Sequence, residues 1–387
     1  MQPSKAIQGF VSELGEGQSK PMRGYLRDMV FGITANHSAM LSEIGRALGE
    51  DAELITTEMR LSRNLANRNL DENVVRDRYL DAVEPFLQDA VIALDFSEIR
   101  KDYSEKQEWL CDIWDNSRKE KARGYWLLNI EAVDKEGKHF PLWLEPFSQE
   151  ADGYKSQAHV VKHGIERVAP YVGKDCVWVL DRGFDGSGYI QMLEEAGLTY
   201  CIRQIGRRTV VAENGRKDST ANIAAEIELP NKGTWRYVDK GREFPIFFRY
   251  GSAVVTLPID GKQRRLIVVW VSGRKGPMML LTNAVSEKHI LRYIIAYFTR
   301  WGIEEGTRLV KQIFDLENVR AMSFAGIRRL TLFAYLAYGF LCLFAKRVSK
   351  AILKRVLSLY KSFGNTPHFL YYRLAQAVSL ALLRAGP

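Results

Sequence analysis

Tyr297, Arg300, Glu304 and Lys311 fall within fifteen residues, in the pattern Y-x2-R-x3-E-x6-K. At about 100° per residue, one helix would hold Arg300, Glu304 and Lys311 in a stripe of about 60° measured from Tyr297. A phenol, a guanidinium, a carboxylate and an ammonium on one face make a poor packing or membrane surface. They make a good surface for phosphates and a metal ion. Two further acids have their own signature. Val91-Ile-Ala-Leu-Asp95 and Cys176-Val-Trp-Val-Leu-Asp181 are short apolar runs ending in a carboxylate, the pattern of a buried strand delivering an acid at its tip. An Asp in that place also serves as an ordinary turn or cap residue. Asp102 and Asp185 are nearby rivals, and Glu305 adjoins Glu304 but lies off the stripe.

The three acids are 86 and 123 residues apart, so only folding can gather them. Converging carboxylates repel unless a cation neutralises them. Hard oxygen donors, without His or Cys at metal spacing, favour Mg2+ or Mn2+. Two such ions about 4 Å apart can activate a water or a 3′-hydroxyl and stabilise the leaving oxygen of an in-line displacement at phosphorus. Asp95 would then bridge the pair, with Asp181 on one ion and Glu304 on the other.

The elements that must place these acids can be read coarsely. Residues 1–85 read as a helical domain, with Leu41, Ile44, Leu48 and Leu54 near helical spacing and a basic face at Arg60, Arg63 and Arg68. Strands are expected at 91–95, 125–133 and 139–147, the last two joined by a turn at 134–137. A helix over 157–171, a strand over 176–181, a helix over 187–196 and a strand over 199–203 follow. Three antiparallel strands, then helix-strand-helix-strand, is the element order of a ribonuclease-H-like fold. Residues 207–284 break the rhythm with strand-like runs at 254–257, 266–271 and 278–281 and a hairpin signal at Asp260-Gly261, a mostly β insertion. The expected class is therefore α/β (α+β): a catalytic domain over 86–325, flanked by helical regions at 1–85 and 326–387.

Composition narrows the partners. Net charge is +9, and from Ala321 onward ten Lys and Arg stand with no Asp or Glu. A one-sided basic segment points to a polyanion, either nucleic acid or an anionic membrane. The sixteen uncharged residues 330–345 fall short of the usual length for a bilayer span and read as a buried helix. A membrane anchor is the competing reading. Residues 346–361 look like a basic amphipathic helix for lipid or DNA. The four cysteines are scattered, which argues against a disulfide framework or a cysteine zinc site and suits a reducing cytoplasm. The first residues lack a charged leader and apolar core, so no secretion signal is expected. Gly183, Gly186 and Gly188 do not form a dinucleotide fingerprint and no phosphate loop occurs, so no nucleotide cofactor is expected. His159 and His163 lack a third ligand. Arg203, Arg207, Arg208, Arg216 and Lys217 are candidates for a phosphate-binding rim.

Leu-Asp95, Asp181-Arg-Gly-Phe and Tyr297/Arg300/Glu304/Lys311, with Trp301 after the arginine, together resemble the DDE transposases of bacterial insertion sequences. The likeness is to the IS-four group with its "YREK" signature and covers about residues 90–325. It implies that Asp95, Asp181 and Glu304 bind two Mg2+ (or Mn2+) ions. It implies that Tyr297, Arg300 and Lys311, with Arg182 beside them, contact DNA phosphates, and that a homodimer holds two transposon ends. The partners would be double-stranded DNA, both terminal inverted repeats and target. The place would be the bacterial cytoplasm, associated with the nucleoid. Some relatives stack a flipped base on a Trp of the insertion, for which Trp235 and Trp270 are candidates, each also suited to a core role. The implied activity is metal-dependent cut-and-paste transposition. A nuclease of the same fold without strand transfer, or a decayed DNA-binding protein, are the alternatives.

Overall fold

The computed structural model of the chain describes residues 2–115, 118–239, 242–360 and 369–386. Five amphipathic helices come first: α1 (Pro3–Leu14), α2 (Lys20–Asn36), α3 (Leu41–Leu48), α4 (Leu54–Leu65) and α5 (Glu72–Val83). Strands β1 (Val91–Arg100), β2 (Cys111–Asp115), β3 (Glu120–Val133) and β4 (His139–Phe147) follow, then α6 (Gln157–Val168), β5 (Val177–Leu180), α7 (Ser187–Glu195) and β6 (Tyr200–Arg203). Next come β7 (Thr209–Ala212), β8 (Lys217–Ser219), α8 (Thr220–Glu226), β9 (Asn231–Asp239), β10 (Arg242–Thr256), β11 (Gln263–Val271) and β12 (Met278–Thr282). The chain ends in α9 (Ile290–Thr299), α10 (Trp301–Ile313), α11 (Phe324–Arg347), α12 (Lys350–Leu357) and α13 (Leu370–Ala385).

All twelve strands among the described residues join one mixed sheet, in the order β2-β3-β1-β5-β6-β12-β11-β10-β7-β8, with β4 on β3 and β9 on β10. β1 and β3 are antiparallel, whereas β1, β5 and β6 are parallel. The central strands are apolar on both faces because both are covered. Ala93, Val177, Val179, Cys201, Ile267 and Val269 pack with Ile294, Tyr297 and Phe298 of α9. Ile92, Leu94, Trp178, Leu180 and Ile202 belong to the larger core with Val161 and Ile165 of α6 and Ile190 and Leu193 of α7.

Several expectations change. β1 runs on to Arg100, so Asp95 is mid-strand and not at a tip. β2 was not anticipated; it shares one edge of the long β3 with β4, pairing before it. The expected helix over 157–171 ends at Val168 and tightens into a 3-10 turn at Ala169–Tyr171. The β insertion is no separate layer, because β12 pairs with β6 and carries the central sheet outward.

Phe324–Arg347 is long and apolar enough to cross a membrane, yet 94% of its most apolar window is buried inside the protein. It packs against α1, α2, α4, α5, α13 and β4. Its charged ends are tied to acids from elsewhere in the chain. Arg328 pairs with Glu145 at 3.0 Å, Arg329 with Glu72 at 2.8 Å, Lys346 with Asp134 at 2.7 Å and Arg347 with Glu13 at 3.3 Å. Arg329 also donates to the carbonyls of Asn64 and Leu65, groups that the end of α4 leaves without helical partners. Much of the basic excess is thus neutralised within the fold. The expected basic helix over 346–361 is split between the end of α11 and α12, and Lys361 lies outside the described residues.

Candidate active site

Two parallel strands bring the first two acids together. β1 and β5 are in register at Leu94 and Leu180, and the next residues are Asp95 and Asp181. Asn129 of β3 lies opposite Asp95 on the other side. Asp181 leads into the 3-10 turn Arg182–Phe184, and Glu304 sits in the first turn of α10. All three acids line one cleft of about 690 Å³, together with Ser97, Glu98, Asn129, Arg300, Lys311 and Glu317.

Arg300 occupies the middle of this cleft. It is the residue between α9 and α10, so the expected single helical stripe is two helices meeting at the guanidinium. Arg300 is 5% exposed. Its Nη1 donates to Asp95 Oδ2 at 2.9 Å, and Nη2 lies 3.6 Å from Glu304 Oε1. The guanidinium stands 5.6 Å from the centre of the Tyr297 ring, and its buried Nε has no hydrogen-bond partner among the described residues. Tyr297 donates its hydroxyl to Asp181 Oδ1 at 2.8 Å, and Arg203 Nη1 is 3.8 Å from that oxygen. Lys311 pairs with Glu98 and Glu317, both at 3.1 Å. Tyr297, Arg300 and Lys311, expected to face phosphates, are here turned onto carboxylates. The physical reason is charge: acids gathered in a half-buried cleft draw in the nearest donors.

That crowding sets the protonation behaviour. Burial pushes Asp95 up to about 6, Arg300 opposes the rise, and the charges of Asp181 and Glu304 add to it. Burial would raise Asp181 too, but Arg300, the Arg182 backbone N–H, the Tyr297 hydroxyl and Arg203 outweigh it and hold Asp181 below the usual carboxylate value. Burial, with the Asp181 charge added, pushes Tyr297 up to about 12.

The donor set suits a hard cation: three carboxylates from three elements on one cleft, no thiolate, and a buried guanidinium already supplying positive charge among them. Among the described residues, no three His, Cys, Asp or Glu are already gathered closely enough to hold a metal ion.

The remaining candidates separate by their partners. Asp185 accepts from Arg208 at 2.7 Å and from the Ile205 N–H at 2.8 Å, which gives both Asp185 and Arg208 structural work. Arg100 bonds Asp102, and Arg216 pairs with Glu226. Of the expected rim, Arg207 and Lys217 are exposed and Arg203 turns to Asp181; Arg182 is exposed beside Asp181. His163 packs edge-on to Trp143, and His159 is exposed near the start of α6. Trp235 packs on Phe298 and Trp301, a core role, whereas Trp270 is 43% exposed. Sequence reasoning missed Glu98, Asn129 and Glu317. Glu98 follows Asp95 by three residues and would have entered the reading had the strand been extended past the apolar run. Asn129 and Glu317 carry no local signal.

Residues 87–340 match the model of the transposase DDE domain. The chain belongs to the DDE transposase family. It is accordingly a DNA transposase, an enzyme acting on DNA, and DDE transposases generally use divalent metal ions. No curated protein matches the chain. Among solved structures it is similar to piggyBac transposase in a cryo-EM synaptic complex with hairpin DNA, with a TM-score of 0.47 and 10% identity over 99% of this chain and 81% of that chain.

Proposed function

We propose that the chain is a cut-and-paste transposase of the IS-four group, with a ribonuclease-H-like core over 86–325, a β insertion over 207–284 and helical flanks at 1–85 and 326–387. Asp95, Asp181 and Glu304 are its metal ligands, for two Mg2+ or Mn2+ ions. The observation that carries this reading is the placement of three acids, from β1, the end of β5 and α10, on one cleft around Arg300. The ions, when bound, would lower the pKa of an attacking hydroxyl and stabilise the departing oxygen.

The chain's own groups do the rest. Arg300 balances the acids until cations do so, and an arriving phosphate then gives its guanidinium an anionic partner. Tyr297 holds Asp181 through its hydroxyl, while Lys311 in the cleft and the exposed Arg182 next to Asp181 are the phosphate contacts. Water attacks the phosphodiester at each element end, the bond to the 3′ oxygen breaks, and a 3′-hydroxyl is left. That hydroxyl attacks target DNA and displaces a target 3′ oxygen. The hydrolysis is downhill, and in the strand transfer one phosphodiester forms as one breaks, so neither step calls for a nucleotide cofactor. A homodimer pairing two ends, working in the bacterial cytoplasm on nucleoid DNA, completes the reading.

The test is to incubate the protein with end DNA, Mg2+ and a target plasmid. Joined products, lost in Asp181→Asn while end binding persists, support the reading. Cleavage without joining would make the chain a nuclease, and undiminished cleavage by Asp181→Asn would remove that residue from the site.

A further inference from the structure

The helix bearing Glu304 rests on a buried glutamate–histidine contact. Glu131 of β3 is fully buried, and its Oε1 lies 2.5 Å from His139 Nδ1 and accepts the Tyr338 hydroxyl at 3.2 Å. Its other oxygen, Oε2, is buried as well. The backbone N–H of His139 donates to the Tyr371 hydroxyl at 3.1 Å. Two residues of α10, one turn apart and flanking Glu304, lie directly on this pair, and both are glycine. A methyl group added to Gly306 would stand 2.3 Å from Glu131 Oε2, and one added to Gly302 would stand 2.4 Å from His139 Cε1. Glycine weakens a helix interior relative to alanine, so two of them one turn apart mark a required close approach. Next to Gly306, Thr307 accepts from the Asn129 side chain at 2.8 Å, which fixes α10 along β3 beside Asp95.

We infer that the Glu131–His139 pair, seated under Gly302 and Gly306, is the positioning element that sets how deep Glu304 stands in the cleft. The inference rests on the proposal that Glu304 is a metal ligand. A carboxylate and an imidazole fix this height better than apolar side chains would. Their shapes are rigid, and Tyr338 of α11 and Tyr371 of α13 hold them from behind. The pair thereby couples the C-terminal helices to the acid cleft.

The experiment compares Gly306→Ala, Gly302→Ala and Glu131→Gln with the unaltered full-length chain. Mn2+ binding to the protein alone is followed by electron paramagnetic resonance, nicking of supercoiled plasmid in Mn2+ gives kcat and KM, and thermal unfolding confirms folding. Alanine raises helix propensity, so a loss cannot come from an unwound α10. The expected result is an Mn2+ dissociation constant raised about tenfold in both alanine variants, with kcat lowered and KM for plasmid unchanged. Glu131→Gln keeps the volume and should shift Mn2+ binding in the same direction by less. A folded alanine variant with unaltered Mn2+ affinity overturns the inference. If neither alanine variant folds, Glu131→Gln decides, and unaltered Mn2+ binding there overturns it. Glu304→Gln separates the two layers. If it weakens Mn2+ binding while folded Gly306→Ala does not, only the seat falls. If Glu304→Gln binds Mn2+ like the unaltered chain, the ligand assignment falls instead.

Discussion

Two clusters of charge in this protein are built to opposite effect. Around Glu145 one carboxylate is served by several cationic or donor groups: Arg328 at 3.0 Å, His163 at 3.7 Å, and the charge of buried Arg76. Burial would raise Glu145, but His163 and the two arginines bring it down to about 2. In the cleft the ratio is inverted. Asp95, Asp181 and Glu304 share the centrally buried Arg300, and burial leaves Asp95 at about 6. The first cluster has more positive groups than acids and joins α11 to the sheet. In the second, Asp95 is left short of positive charge, which a purely structural site would avoid and a cation-binding one needs.

The largest expected effect tests the function of the cleft. Asp181→Asn and Glu304→Gln should each lower Mg2+-dependent cleavage of end DNA on the order of a thousandfold or more, as removal of a catalytic group does, while unfolding temperatures stay close to that of the unaltered chain. Loss of the fold in both would mean that the cleft's acids are structural, and the contrast with Glu145 would vanish.

Next in size is the cluster around Glu145. The folded value of Glu145 lies below its usual 4.5, so its contribution is fully present above about pH 4.5 and disappears as the pH falls towards 2. Glu145→Gln should cost on the order of 3 kcal/mol at pH 7, read from chemical denaturation. The gap to the unaltered chain should narrow as the pH drops to 3. A gap independent of pH would show that shape and not charge is at work.

Asp95 should slope the other way. Its folded value lies above its usual 3.8, so in EDTA the fold is favoured at low pH and loses stability as the pH rises through about 6. Asp95→Asn should remove that slope and raise stability at pH 8 by about 1 kcal/mol, the remainder being offset by the partner that Arg300 loses. Cleavage would be abolished by the same substitution. Parallel pH profiles for Asp95→Asn and the unaltered chain in EDTA would refute the strained account of the cleft.

The sequence was most informative where local pattern and burial coincide. The runs Val91–Asp95 and Cys176–Asp181 did become adjacent parallel strands, and the 330–345 segment is a buried helix, because uninterrupted apolar runs have few other destinations. Asp95's mid-strand position was hidden because the strand turns polar after Leu94, where its side chains enter the cleft and not the core. The inward turn of Tyr297, Arg300 and Lys311 was hidden for a related reason. Helical spacing says which side chains share a face, but not whether that face meets solvent or a neighbouring carboxylate. Glu131 and His139 sit among strand residues with no motif, and their role depends on glycines more than 160 residues away.

A third population of charge gives the comparison its smallest test. Lys350, Lys354 and Arg355 of α12 are exposed, and no carboxylate pairs with them among the described residues. They differ from Arg328, Arg329, Lys346 and Arg347, which the fold has already neutralised. Cations left unpaired on a short amphipathic helix need not be pulled away from an acid, and they release counterions when they meet phosphate. Replacing all three with Ala should weaken binding to duplex DNA and flatten the plot of log affinity against log salt, by about 0.9 for each phosphate no longer neutralised. The same treatment of Arg328 and Lys346 should leave the slope unchanged and lower stability instead, since their partners are Glu145 and Asp134. If the two sets change the salt slope equally, pairing within the fold does not decide which basic residues reach DNA. If neither does, DNA is held by the cleft and the rest of the surface without α12.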